Sequence, residues 1–260
     1  LLPLAPNFPL QSFSFWLGLI YVAMPLGMLI YAVNDISDWR TDQLNPRKDS
    51  FLFGARPTFE QIRQLPLQVA LFQIPFLLAF WTILGPRSLL WMLAAVISTL
   101  AYNHPRYGAK DRPYFDVLAQ LGYLLVFVLA AWMNEQPIAP WYVFIFGALF
   151  AMHSHLFGQI MDIEPDAQAN RTTTAVVIGA RNAKFLAALL LAIETLIALN
   201  FESKPYLSPL LALGALGFVF DALFVWREDP YPTWLVSIFF FGWNFLLMAE
   251  IGWSYWQKSM

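Results

Sequence analysis

Asn34, Asp38 and Asp42 recur at i, i+4 and i+8, and Asp35 sits beside the first of them. If the preceding apolar run continues as helix, Asn34, Asp38 and Asp42 line one face, with Asp35 on the flank of Asp38. Close carboxylates repel and raise one another's pKa. A divalent cation removes that conflict, and hard oxygen ligands of this kind suit Mg²⁺, which keeps some waters and is completed by substrate phosphates. A second acidic run, Asp162-Ile163-Glu164-Pro165-Asp166, repeats the i, i+4 spacing after another apolar stretch. One such run alone leaves a solvated helix end with scattered acids as the alternative reading. Two of them on one membrane face point to facing carboxylates that grip a diphosphate through bridging metal ions. Pro165 lacks an N–H and is expected to kink or end its helix, which leaves the aim of Asp166 open.

Basic residues accompany the acids. The run Tyr102-Asn103-His104-Pro105-Arg106-Tyr107-Gly108-Ala109-Lys110 closes one apolar stretch, and Arg47, Lys48 and Arg171 lie just beyond the two acidic runs. Cations placed there stabilise the charge that develops on a departing diphosphate. Arg106, Arg112 and Arg181 are read instead as ordinary topology charges. His155, Gln159 and Asp162 recur at i, i+4 and i+7 and share a face that leads from the second acidic run into the membrane. His155 and Gln159 are therefore acceptor-side candidates, with His155 able to orient an acceptor or take a final proton. A histidine bonded to a neighbouring helix is the equal alternative for His155 and the preferred reading for His153. Glu194, Asp221 and Glu250 are ionisable groups inside apolar runs, and the sequence names no partner for them.

The elements that must position these groups are apolar helices. Of 260 residues, 59% are hydrophobic and 12% charged, and the mean hydropathy is +0.56; soluble domains are about 45–50% apolar and about 25% charged. A net charge of −2 gives no footprint for nucleic acid. With no cysteine, thiolate catalysis, disulfides and iron–sulfur clusters are excluded. Eight runs suit bilayer-crossing helices: 12–33, 65–84, 87–103, 115–133, 139–157, 185–200, 206–226 and 233–256. Alternating the loops between two sides puts twelve of the 15 Lys and Arg residues on one side, together with both acidic runs. The positive-inside rule makes that side cytoplasmic. The expected fold is an all-α polytopic transmembrane bundle forming one domain over residues 1–260.

Taken together, the acidic runs and the loop between them resemble the UbiA superfamily of membrane prenyltransferases. Its N-D-x-x-D-x-x-x-D motif is met by Asn34, Asp35, Asp38 and Asp42, and its D-x-x-x-D motif by Asp162 and Asp166. Its intervening Y-x-x-P…K loop is met by Tyr102, Pro105 and Lys110, and its later Arg-Thr by Arg171 and Thr172. Arg106 and Gly108 stand where the family usually has a second Pro and an Arg, and the run to Arg-Thr is one residue shorter than is common. The family fold has nine spans with the first acidic motif after the second, so the resemblance implies that the first span is missing here and that residues 1–11 form an outer loop. Within the family, Thr41-Asp42-Gln43-Leu44-Asn45-Pro46-Arg47-Lys48 looks most like lycopene elongases, which extend a carotenoid by a five-carbon unit.

The resemblance implies an Mg²⁺-dependent transfer of an isoprenyl group from an allylic prenyl diphosphate, which enters from membrane lipid, to a lipophilic acceptor. Asp35, Asp38, Asp42, Asp162 and Asp166 would hold metal. Asn34, Arg47, Lys48, Tyr102, Lys110 and Arg171 would bind the diphosphate, with Lys110 also catalytic. A carotenoid such as lycopene is the leading acceptor and an aromatic quinone precursor the alternative. Other readings are a terpene cyclase on the same scaffold, and a transporter or lipid-binding membrane protein.

Overall fold

The computed structural model describes residues 12–45, 48–50, 54–201, 206–232 and 234–238, with isolated positions beyond 240. All described elements are helical. They are α1 (Phe13–Ala23), α2 (Pro25–Asp42), α3 (Phe59–Leu84), α4 (Pro86–Asn103), α5 (Phe115–Leu118), a 3₁₀ segment (Ala119–Leu124), α6 (Leu125–Met133), α7 (Trp141–Gln168), α8 (Thr174–Ile178), α9 (Ala180–Ala198) and α10 (Leu207–Phe224). Among the described residues, five helical stretches are long and apolar enough to cross a bilayer: Phe13–Asp42, Phe59–Leu84, Phe115–Met133, Trp141–Gln168 and Leu207–Phe224. The expected spans at 87–103 and 185–200 coincide with α4 and α9, but α9 carries Arg181, Lys184 and Glu194. The run at 233–256, with Glu250, and the loop at 1–11 lie largely or wholly outside the described residues. The count of eight thus goes beyond what the described helices establish.

Local chemistry sets the helix ends. The expected first span, 12–33, is broken at Met24, because Pro25 disfavours helical backbone in the residue before it. Beyond the break the chain stays helical to Asp42, which carries the first acidic run on a continuous helix. Gln73 braces the chain beside the break: its amide donates to the Pro25 carbonyl at 2.6 Å and accepts from the Tyr21 hydroxyl at 2.9 Å. A capping box starts α3, where Thr58 accepts from the Gln61 backbone and the Gln61 side chain accepts from the Thr58 backbone. The 3₁₀ segment interrupts the span 115–133, and the Trp91 indole donates to the Leu125 carbonyl just past it at 2.7 Å. Pro165 does not end its helix. The last turn of α7 continues through it to Gln168.

Packing divides into three apolar clusters. One joins α1, α2, α3, α4 and α6 around Tyr21, Phe80, Trp91 and Leu129. A second seats α7 on α9 through Leu156, Ile160, Ala183 and Ala187, where alanines let the backbones approach closely, as in other membrane interfaces. The third joins α7, α9 and α10 around Phe146, Leu191 and Leu211. Two of the three ionisable groups left unassigned by sequence, Glu194 and Asp221, have partners here. His153 Nδ1 lies 2.5 Å from Glu194 Oε1 on α9, so this histidine does bond to a neighbouring helix. Lys184 is fully buried; it meets Asp221 at 2.9 Å, donates to the Asp229 carbonyl at 2.9 Å and sits 4.7 Å from the Tyr231 ring centre. Removing one member of a buried ion pair strands the other and costs about 3–5 kcal/mol. Lys184→Met should accordingly lower the unfolding temperature in detergent, and Lys184→Met with Asp221→Leu should recover part of the loss. An unchanged midpoint in the single variant would refute this.

Candidate functional site

A cavity of about 1320 Å³ runs between α2, α4, the segment 119–127, α7 and the start of α10. One end is apolar, walled by Leu26, Trp91, Phe127, Phe146 and Leu211. At the other end stand Asn34, Asp38, Lys110, Asp162, Asp166 and Arg171. Along α7 the lining runs from Phe146 to Asp166, which at about 1.5 Å of rise per residue is about 30 Å, the thickness of a bilayer's hydrocarbon core. The C-terminal ends of α2, α4 and α7 all reach the polar end. Their negative dipole ends favour cations there.

Lys110 is the hub. It is buried, and its ammonium donates to Asp38 and Asn34, to Ser37 Oγ at 3.2 Å and to Asn103 Oδ1 at 3.3 Å. Burial depresses its pKa below the ordinary lysine value; Arg171 adds to the depression and Asp38 opposes it. The turn that delivers it is tight. Gly108 N–H donates to the His104 carbonyl at 2.8 Å, and a Cβ at Gly108 would fall 2.5 Å from the Tyr102 carbonyl oxygen. Only glycine fits.

Arg171 joins the two acidic motifs. Its guanidinium lies 3.3 Å from Asp38 on α2, 3.8 Å from Asp166 on α7 and 2.9 Å from Asp111. Burial works against its charge, but the Asp38, Asp111 and Asp166 carboxylates raise its pKa above that of a free arginine. The first motif divides. Asn34 donates to Asp38 at 3.2 Å, and both face the cavity. Asp35 and Asp42 turn instead to Lys48, at 3.7 and 2.8 Å. Burial lowers the Lys48 pKa, yet Asp42 with Asp35 and Asp38 outweighs it and leaves the ammonium above the ordinary lysine value. Arg47 lies outside the described residues.

Below this end lies a hydrogen-bonded layer. Tyr102 Oη and Gln159 Nε2 approach His155 Nε2 at 3.3 and 3.1 Å. The Tyr102 hydroxyl is therefore turned toward His155, while the ring lies 5.7 Å from Lys110 Nζ. Gln159 is fixed in turn by Asp116 Oδ2 at 2.6 Å and by the Ala175 N–H at 3.2 Å. Sequence reasoning passed over Asp116 and Asp111 as site residues. A carboxylate opening an apolar run, as Asp116 does, is the signal that was there to use.

Among the described residues no three acidic or histidine side chains converge tightly enough to ligate one ion. Cations stand between the carboxylates instead. The donor set nevertheless suits magnesium: among the described residues Asp35, Asp38, Asp42, Asp162 and Asp166 supply all-oxygen donors around Lys48, Lys110 and Arg171. Asp38 and Asp166 already come within reach of one guanidinium, so the gap between the motifs is short.

The helices form a membrane bundle with two acidic helix ends over a long apolar cavity. Residues 4–249 match the UbiA prenyltransferase family, and the chain belongs to it. It is 28% identical over 234 residues to a lycopene elongase/hydratase of Corynebacterium glutamicum, covering 86% of this chain and 80% of that one. It is 30% identical over 168 residues to a lycopene elongase/hydratase of Haloferax volcanii, covering 62% of this chain and 52% of that one. A C(50) beta-cyclic carotenoids biosynthesis protein of Dietzia sp. is 27% identical over 178 residues, covering 66% and 40%. No solved structure matches significantly.

Proposed function

We propose that the protein transfers an isoprenyl group from an allylic prenyl diphosphate to a carotenoid acceptor such as lycopene, within a membrane and with its acidic motifs at the cytoplasmic face. The observation that carries this reading is the meeting of Asp38 and Asp166 around Arg171 at the mouth of a bilayer-length apolar cavity. The names of the relatives support the carotenoid class.

Asp35, Asp38 and Asp42 on one side and Asp162 and Asp166 on the other would hold magnesium with the diphosphate. When bound, that metal supplies Lewis acidity that eases ionisation of the allylic C–O bond. Lys110, Lys48 and Arg171 neutralise diphosphate oxygens as charge builds on them. Asn34 holds Asp38 and Lys110 in register. The Tyr102 ring lines the cavity 5.7 Å from Lys110 Nζ, and aromatic faces in the cavity can stabilise the allylic cation by about 0.5–2 kcal/mol each. The apolar walls keep water from quenching it. His155, fixed by Gln159, stands one ring layer deeper, where it can orient the acceptor or take its proton.

Purified protein given magnesium, a series of prenyl diphosphates and a panel of acceptors should yield a prenylated carotenoid by mass spectrometry. A cyclic hydrocarbon formed without acceptor would instead mark a terpene cyclase, and a prenylated quinone precursor an aromatic prenyltransferase. Absence of diphosphate release from every donor would leave a transporter or lipid-binding role.

Gly158 lines the cavity one turn from Asp162, and a Cβ there meets nothing within 4 Å. Gly158→Ala should be tolerated, whereas Gly158→Phe should plug the cavity below the acids. The Phe variant is expected to lose at least about tenfold in kcat/KM on long substrates and much less on the shortest donor, since lost apolar burial scales with blocked area. Equal loss on all chain lengths would contradict this placement.

A further inference from the structure

A second, smaller pocket of about 270 Å³ lies beyond the polar end of the cavity. The two share Asp38, Asn103, Lys110 and Arg171, so this knot of side chains is a partition with a chamber on each side. The chambers differ in charge. On the cavity side Asp38, Asp162 and Asp166 outnumber Lys110 and Arg171. On the far side Arg106, Lys110, Arg112 and Arg171 outnumber Asp38 and Asp111, which gives an excess of two positive charges. Arg106 and Arg112 have no carboxylate partner among the described residues. The wall is ordered by its own backbone: Arg106 and Tyr107 N–H groups donate to His104 Nδ1 at 3.2 and 3.1 Å.

We propose that this pocket is a separate anion site that receives inorganic diphosphate after it leaves the allylic carbon, with the Asp38–Lys110–Arg171 knot as the partition it crosses. The inference rests on the prenyl-transfer reading above, because that reading supplies the leaving group. No bond is made or broken here; the anion moves from a chamber rich in carboxylate to one rich in guanidinium. The pocket, about 270 Å³, has room for diphosphate, an anion of nine heavy atoms. Lys110 and Arg171 face both chambers, so the anion keeps two of its cations while it exchanges carboxylate neighbours for Arg106 and Arg112. The reading that assigned Arg106 and Arg112 to topology alone is revised by this placement.

Radiolabelled inorganic diphosphate binding to the full chain in detergent with magnesium tests the proposal. The wild type should bind two diphosphates per chain, and Arg106→Gln with Arg112→Gln should lose one or weaken it at least about tenfold, as expected for two lost charge-assisted contacts. Arg106→Lys with Arg112→Lys should keep two. One diphosphate per wild-type chain, or equal binding in wild type and the Gln variant at matched unfolding temperatures, overturns the site. Prenyl transfer by the same wild-type preparation is scored separately. Transfer without the second site sinks this proposal alone, and a second site without transfer sinks the exit role together with the parent reading.

Discussion

Asp38→Asn should reduce prenyl transfer by about a thousandfold, the order expected when an aligned charged group is removed from a desolvated site. Asp38 is the carboxylate that both Lys110 and Arg171 address, and it faces the cavity next to Asn34. The amide puts an N–H₂ where one oxygen meets an ammonium. It also leaves buried Lys110 without its counter-charge, so the unfolding temperature should fall too. A second variant separates the two effects. Asp38→Asn with Lys110→Met removes the stranded charge and should recover much of the stability and none of the transfer. Retention of activity within tenfold of wild type in the single variant would remove Asp38 from the reaction.

The largest loss of stability is expected at Asp116, which is fully buried on α5. Its oxygens accept from Val117 N–H at 2.8 Å, Thr174 N–H at 2.7 Å, Gln159 Nε2 at 2.6 Å and the Thr174 hydroxyl. Alanine takes the acceptor from the Val117 N–H, the Thr174 N–H and the Thr174 hydroxyl, and leaves Gln159 Nε2 only its 3.1 Å contact with His155. Each buried orphan costs about 1–3 kcal/mol, and after partial relaxation the sum should be about 4 kcal/mol or more. Asp116→Asn keeps an acceptor and should cost less. Thermal unfolding in detergent reads the difference, and amide exchange over 172–178 should rise in the Ala variant before global unfolding. If the Ala variant unfolds within a degree or two of wild type, this network does not hold α5 to α8.

The sequence made the helical class, the acidic helix ends and the Tyr102–Lys110 turn readable, because i, i+4 spacing and long apolar runs are local signals. The direction in which each acid turns was not local. On helical spacing Asn34, Asp38 and Asp42 share a face, yet Lys48, folded back from the following loop, draws Asp42 and Asp35 aside. The course of α7 through Pro165 was equally hidden. A proline deletes one N–H, and whether the helix survives depends on tertiary neighbours that spacing does not encode. The partners of Glu194 and Asp221 are 41 and 37 residues away along the chain, at His153 and Lys184. Asp116 was legible only as an expensive residue, since its ligands come from α7 and α8.

On the proposed reading, the bilayer-length cavity sets how a rod-shaped acceptor is processed. Such a molecule lies along the lipid chains and offers a single terminus to the acids, with its other terminus some 30 Å away by helix rise. Modifying both termini then demands departure, end-over-end tumbling in the lipid and re-entry. On the proposed transfer reading, catalysis on a symmetric acceptor is expected to be distributive, with the singly elongated compound accumulating before the doubly elongated one.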